Sequence, residues 1–198
     1  MFTSDIYIRG KHATYLKYLS QKTEKNDRNE VVAGVFERMI DVYMTGAIVG
    51  VLYGLRKEDE NASSDTVKIF ADAVTREQDN LKNIFTIVML VDNSRGLTDD
   101  EKIECAFRNP DTPENMRLFN SYVRGGVEWL YDSFTTDATT KDEYIARIYE
   151  VVNDFVEEHD IYLWREKWRV ELLVCYLSFK TISCFNGLSL IVIMLRCI

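Results

Sequence analysis

Two pairs of carboxylates have the spacing that metal chemistry needs. Glu101 and Glu104 are three residues apart, and so are Glu157 and Asp160. On a helix, side chains at i and i+3 share a face. Carboxylates placed that way can hold Mg²⁺ and support a metal-dependent hydrolase. A chain with 32 acidic residues also produces such pairs by chance. Both pairs lie among polar neighbours, so a solvated acidic surface is the default expectation. The two histidines, His12 and His159, add no ligand pattern: position 9 is Arg9 and position 156 is Val156, so neither completes a Glu-x-x-His pair. HExxH, GxxxxGK[ST] and GxSxG are all missing from the sequence. Cys105, Cys175, Cys184 and Cys197 show no CxxC spacing, which fits reduced thiols in the cytoplasm better than a disulfide or zinc framework. No cofactor is expected.

The second chemical pattern is basic and aromatic. YIRGKHATYLKYLSQK sets Arg9, Lys11, His12 and Lys17 among Tyr7, Tyr15 and Tyr18. Interleaved cations and rings can bind single-stranded nucleic acid or an acidic protein partner. The plainer expectation is an amphipathic helix whose lysines fold back onto the protein's own acidic body. Charge favours the plainer one: the net charge of −8 divides into +3 over residues 1–29, −14 over 30–160 and +3 over 161–198. The acidic centre repels phosphate, so nucleic acid is expected only through the N-terminal arm, if at all.

The third pattern is steric. YMTGAIVGVLYGLRK carries Gly46, Gly50 and Gly54 at intervals of four. On a helix these form one slanted groove, along which another backbone can approach closely. Glycine costs about 0.5–1 kcal/mol relative to alanine in a helix, so close packing must offset three of them. Gly125 and Gly126 in FNSYVRGGVEWLYD are the expected counterpart. Small-residue stripes also mark membrane helices. The apolar run from Val42 to Leu55 is only 14 residues, flanked by Asp41 and Arg56, against the ~20 that a bilayer requires.

Positioning these groups calls for helices. Apolar residues recur at helical spacing over 11–20, 30–56, 65–92, 98–108, 113–134 and 141–159. Thr98–Glu101 and Thr140–Glu143 match capping boxes, and Thr112-Pro113-Glu114 is a further start signal. Residues 5–9 make a short extended arm. No segment alternates like a strand for four residues or more. The expectation is an all-α bundle of five or six helices, with the glycine-containing helix at about 30–56 in its centre. Residues 1–160 form an acidic helical domain with a short basic N-terminal arm.

Residues 161–198 differ in style. From Leu172 to Leu195 there is one charge, Lys180, and Trp164, Arg165, Lys167, Trp168 and Arg169 precede it. This tail suits packed helices or a C-terminal membrane anchor. The opening MFTSDIYIRGKH lacks the basic-then-apolar order of a signal peptide. The expected function is therefore a non-catalytic helical interaction or regulatory protein of the cytoplasm, acting with a protein partner or as a homo-oligomer. The alternatives are a tail-anchored membrane protein with an acidic cytoplasmic domain, and the metal-dependent hydrolase.

Overall fold

A computed structural model describes residues 1–20, 34–60 and 64–158. The fold is an all-α bundle with one small sheet. Its elements in chain order are β1 (Ile6–Arg9), α1 (Lys11–Leu19), α2 (Met39–Leu52), β2 (Thr66–Ile69), α3 (Ala71–Arg76), α4 (Gln78–Val91), α5 (Asp99–Ile103), a π-helical turn (Glu104–Arg108), α6 (Pro113–Thr135) and α7 (Lys141–Glu158). Expectations that fall on residues 21–33 and 159–198, including the apolar stretch 172–195, lie outside the described residues. No helix among the described residues is long and apolar enough to cross a membrane.

Helix α2 is apolar nearly all round, and it is buried nearly all round, which places it at the centre. It crosses α6, and that pair forms the most extensive interface in the protein. The crossing is a contact of backbones. A Cβ at Gly126 would overlap the Gly46 carbonyl and come within 2.7 Å of the Gly50 nitrogen. A Cβ at Gly50 would strike the Tyr122 carbonyl, and one at Gly125 the Leu55 carbonyl. One at Gly46 would lie 2.7 Å from a methyl of Val127. Four of the five glycines expected to pack are therefore brought together.

Gly54 is not among them. Helix α2 ends at Leu52, and Gly54 has φ +64° with open space around it. The Leu55 N–H donates to the Gly50 carbonyl at 2.7 Å, and the Gly54 N–H to the Val51 carbonyl at 3.3 Å. This pair of bonds is a Schellman motif, and it turns the chain off the helix end. The i+4 spacing of Gly54 thus reflects a helix stop rather than a groove.

Three other elements differ from expectation. The central helix begins at Met39, not near 30. Residues 34–38 are not helical, and the Phe36 N–H is committed to the Leu19 carbonyl at 2.9 Å. The run 65–92 is not one helix: it splits into β2, α3 and α4. Thr66, Val67 and Ile69 are β-branched and favour a pleated half-buried surface. They pair antiparallel with β1 in the register Ile6↔Ile69, Tyr7↔Lys68, Ile8↔Val67 and Arg9↔Thr66. In α7 the helical spacing of Ile145, Ile148, Val152, Phe155 and Val156 predicts the inward face, but Tyr144 and Val151 are buried while Ile145 is exposed.

The caps of α5, α6 and α7 form as expected. Thr98 and Glu101 complete a capping box. Thr112 accepts the Asn115 N–H ahead of a 23-residue α6 that opens with Pro113. Glu143 accepts the Thr140 N–H at 2.9 Å. The core gathers Leu16, Leu19, Tyr43, Phe85, Phe119 and Phe134, with Phe2 edge-on to both Phe85 and Phe119.

A glycine inside the crossing and one outside it carry different demands. Gly126→Ala should cost about 3 kcal/mol or more, because a backbone cannot rotate out of the way as a side chain can. Gly54→Ala should cost only about 1–2 kcal/mol, the strain of an L-residue at positive φ. Urea denaturation of both variants checks the order and the gap.

Candidate interaction site

The chain leaving α2 runs across α6 as a strap. The Lys57 N–H donates to the Ser121 carbonyl at 3.0 Å, and Arg124 Nε donates to the Lys57 carbonyl at 2.8 Å. Arg124 is buried, and burial lowers its pKa against the pull of Asp59 and Glu58. The strap delivers Lys57 and Glu60 to the start of α1. There Glu128, one turn beyond Arg124 on α6, collects three partners: Lys11 Nζ at 2.9 Å, His12 Nε2 at 3.2 Å and Lys57 Nζ at 3.4 Å. Glu60 accepts the Lys11 N–H at 3.1 Å.

His12 is the one buried histidine of this cluster, only 1 % exposed. Burial lowers its pKa and outweighs the opposing pull of Glu128. Glu128 is itself raised by burial, but its bonds from Lys11 and His12 leave its pKa below the ordinary value. An ionised carboxylate only accepts, so Nε2 carries the proton and Nδ1 is left as an acceptor. Nδ1 is enclosed and has no hydrogen-bond partner. A histidine–glutamate pair can move protons, but this imidazole is walled off from solvent and its glutamate is saturated. The cluster clasps α1, the strap and α6 together.

Two other buried carboxylates are satisfied in the same inward way. Asp92 accepts from the Ser94 N–H and hydroxyl, from Tyr122 Oη at 2.7 Å and from Arg95 Nε at 3.1 Å. Burial raises its pKa, yet these bonds hold it below the ordinary value. Asp41 receives both arms of Arg38, at 2.9 and 2.6 Å, and Arg38 also reaches Glu77.

The sequence candidates fall out as follows. Glu101 is spent on its cap, accepting the Thr98 N–H and hydroxyl at 2.8 Å. Glu104 pairs instead with Arg108 at 3.4 Å. The two do not act as one ligand pair, because the cap turns Glu101 back toward Thr98. Glu157 is exposed near the end of α7, and its intended companion Asp160 lies outside the described residues. Among the described residues no group of three or more His, Cys, Asp or Glu side chains could hold a metal ion. In the basic arm, Lys11 is tied to Glu128 and Lys17 to Asp65 at 2.8 Å, while His12 is buried. Asp65 also accepts from Thr14 Oγ1 at 2.7 Å, so it serves α1 twice. Tyr15 and Tyr18 pack against Tyr131. Arg9 and Lys11 both lie at exposed positions.

What sequence reasoning missed is an apolar surface. Ile87, Leu90 and Val91 of α4 are exposed, as are Ile103 of α5 and Phe107 of the π-helical turn, the last at 62 %. These elements pack against one another. The signal was present in FTIVMLV, a run too apolar for a helix with only one buried stripe. Ile103 and Phe107 repeat its i, i+4 spacing. No known protein family, curated protein or solved structure matches the chain.

The clasp has a pH signature. The His12 pKa is depressed in the folded protein, so its contribution to stability is full above its ordinary value of 6.5. That contribution is lost as pH falls from there through the folded pKa, because the unfolded chain takes up the proton first. Glu128, also depressed, loses its contribution only at lower pH, below the ordinary 4.5. Thermal melts between pH 7.5 and 5 should show the upper limb in the native chain and lose it in His12→Gln.

Proposed function

We propose that this chain is a non-catalytic helical interaction protein that works within a complex. Its partner, another protein or a second copy, sits on the apolar side formed by α4, α5 and the π-helical turn. One observation carries the proposal: Ile87, Val91, Ile103 and Phe107 are all exposed on elements that already pack together. Uncovered apolar surface of this kind marks association sites in soluble domains. The clusters at Glu128, Asp92 and Asp41 favour the same conclusion, since their charges are consumed by internal partners rather than directed at a substrate. We place the protein in the cytoplasm on the spacing of its cysteines.

The test compares the native chain with Val91→Asp/Phe107→Asp. Sedimentation over a concentration series reads self-association, and cross-linking in the native host reads a heterologous partner. The native chain should dimerise or yield a defined cross-linked species. The double variant should weaken that association by about 2 kcal/mol or more, roughly 30-fold, with its melting temperature unchanged. A native chain that is monomeric and uncross-linked, or a variant that associates equally well, overturns the proposal.

A further inference from the structure

The outer face of the small sheet is independent of the apolar side just described. Antiparallel register puts Ile6, Ile8, Val67 and Ile69 on the face toward the core. It puts Tyr7, Arg9, Thr66 and Lys68 on the other. Phe70 follows directly after β2. Tyr7 is 55 % exposed and Phe70 60 % exposed. Lys68 Nζ lies between the rings, 5.8 Å from the centroid of Tyr7 and 4.8 Å from that of Phe70. Asp5 fixes the ammonium there at 2.6 Å, and the same carboxylate accepts the Ala71 N–H at 2.9 Å.

Two exposed rings, one ammonium close to both and a guanidinium on the strand that carries Tyr7 make a specific combination. Rings offer flat faces to any nucleobase, and cations beside them meet the phosphates that link successive bases. We propose that the face formed by Tyr7, Arg9, Lys68 and Phe70 binds a short single-stranded nucleic acid by stacking. Paired bases cannot reach such rings, so duplexes are poor ligands. Asp5 already neutralises Lys68 in part, and the body of the chain is acidic. Binding therefore rests on stacking more than on charge, with a shallow dependence on salt. The four residues come from both strands, which is why the N-terminal sequence showed only half of the site. Lys11, His12 and Lys17, its neighbours in sequence, take no part.

The experiment is fluorescence anisotropy of the full chain with labelled oligothymidine and a mixed-sequence RNA, against Tyr7→Ala, Phe70→Ala and Arg9→Gln. Both rings are exposed, so unchanged melting temperatures show that the variants fold. Saturable binding by the native chain, weakened about fivefold or more by each ring removal, supports the proposal. A smaller loss in Arg9→Gln, with a shallow salt dependence, supports stacking as the main contribution. Three results overturn it. The first is no saturable binding, and the second is binding by the two ring variants as tight as that of the native chain. The third is ring-dependent binding to anionic lipid vesicles but not to oligonucleotide, which assigns the face to a membrane surface.

Discussion

The Gly46 carbonyl of α2 lies where a side chain on α6 would have to be, and Gly126 is what allows it to lie there. Hydrophobic side chains usually set helix separation at 8–10 Å, and their absence here lets two main chains approach more closely. The helices give up about 0.5–1 kcal/mol of intrinsic stability at each glycine. Dispersion between close-packed backbones offsets that loss only if the fit is tight. Because the end of α2 is drawn onto α6, the chain leaving it must pass over Gly125. From that passage follow the strap, the position of Lys57 and the closure over His12. One steric contact thereby bears on the placement of α1, which packs against both of the crossing helices.

Charge is arranged to serve this geometry. The sequence is acidic in its centre and basic toward its start, and the fold brings the two together at Glu128 and Asp65. Asp41 and Asp92 are buried, but each has an arginine three residues away. Buried ion pairs of this sort contribute little net stability, while loss of one partner leaves a charge stranded. Their value is in register: Asp92 ties the end of α4 to Tyr122, and Arg95 continues to Asn115 near the start of α6.

Helix identity was legible wherever caps and spacing agreed. Thr98, Thr112 and Thr140 marked three starts correctly. Legibility failed where apolar spacing continued past a real boundary. Val35 extended the helical period upstream of Met39, although the Phe36 N–H is bonded to α1 rather than within a helix. Val67 fitted the period of α4, yet its strand is held by a partner some sixty residues earlier, which no local window contains. Gly54 shared the interval of the packing glycines while doing the work of a C-terminal stop. The exposed sides were hardest: Phe107 and Phe119 look alike in sequence, and only tertiary packing separates a surface ring from a core ring.

The clasp at Glu128 also bears on how the protein is made. Lys11 and His12 reach a partner 117 and 116 residues further along the chain. Synthesis proceeds from the N-terminus at about 5–20 residues per second. The first strand and helix therefore leave the ribosome several seconds before β2 exists, and longer before α6 does. Until then Ile8, Leu16 and Leu19 have no core to enter, and the basic side chains of α1 have no carboxylate to meet. Contacts this distant in sequence slow folding, since loop closure precedes any gain from the contact. These elements are thus synthesised before their partners and secured only after them, an interval in which a chaperone has access to them.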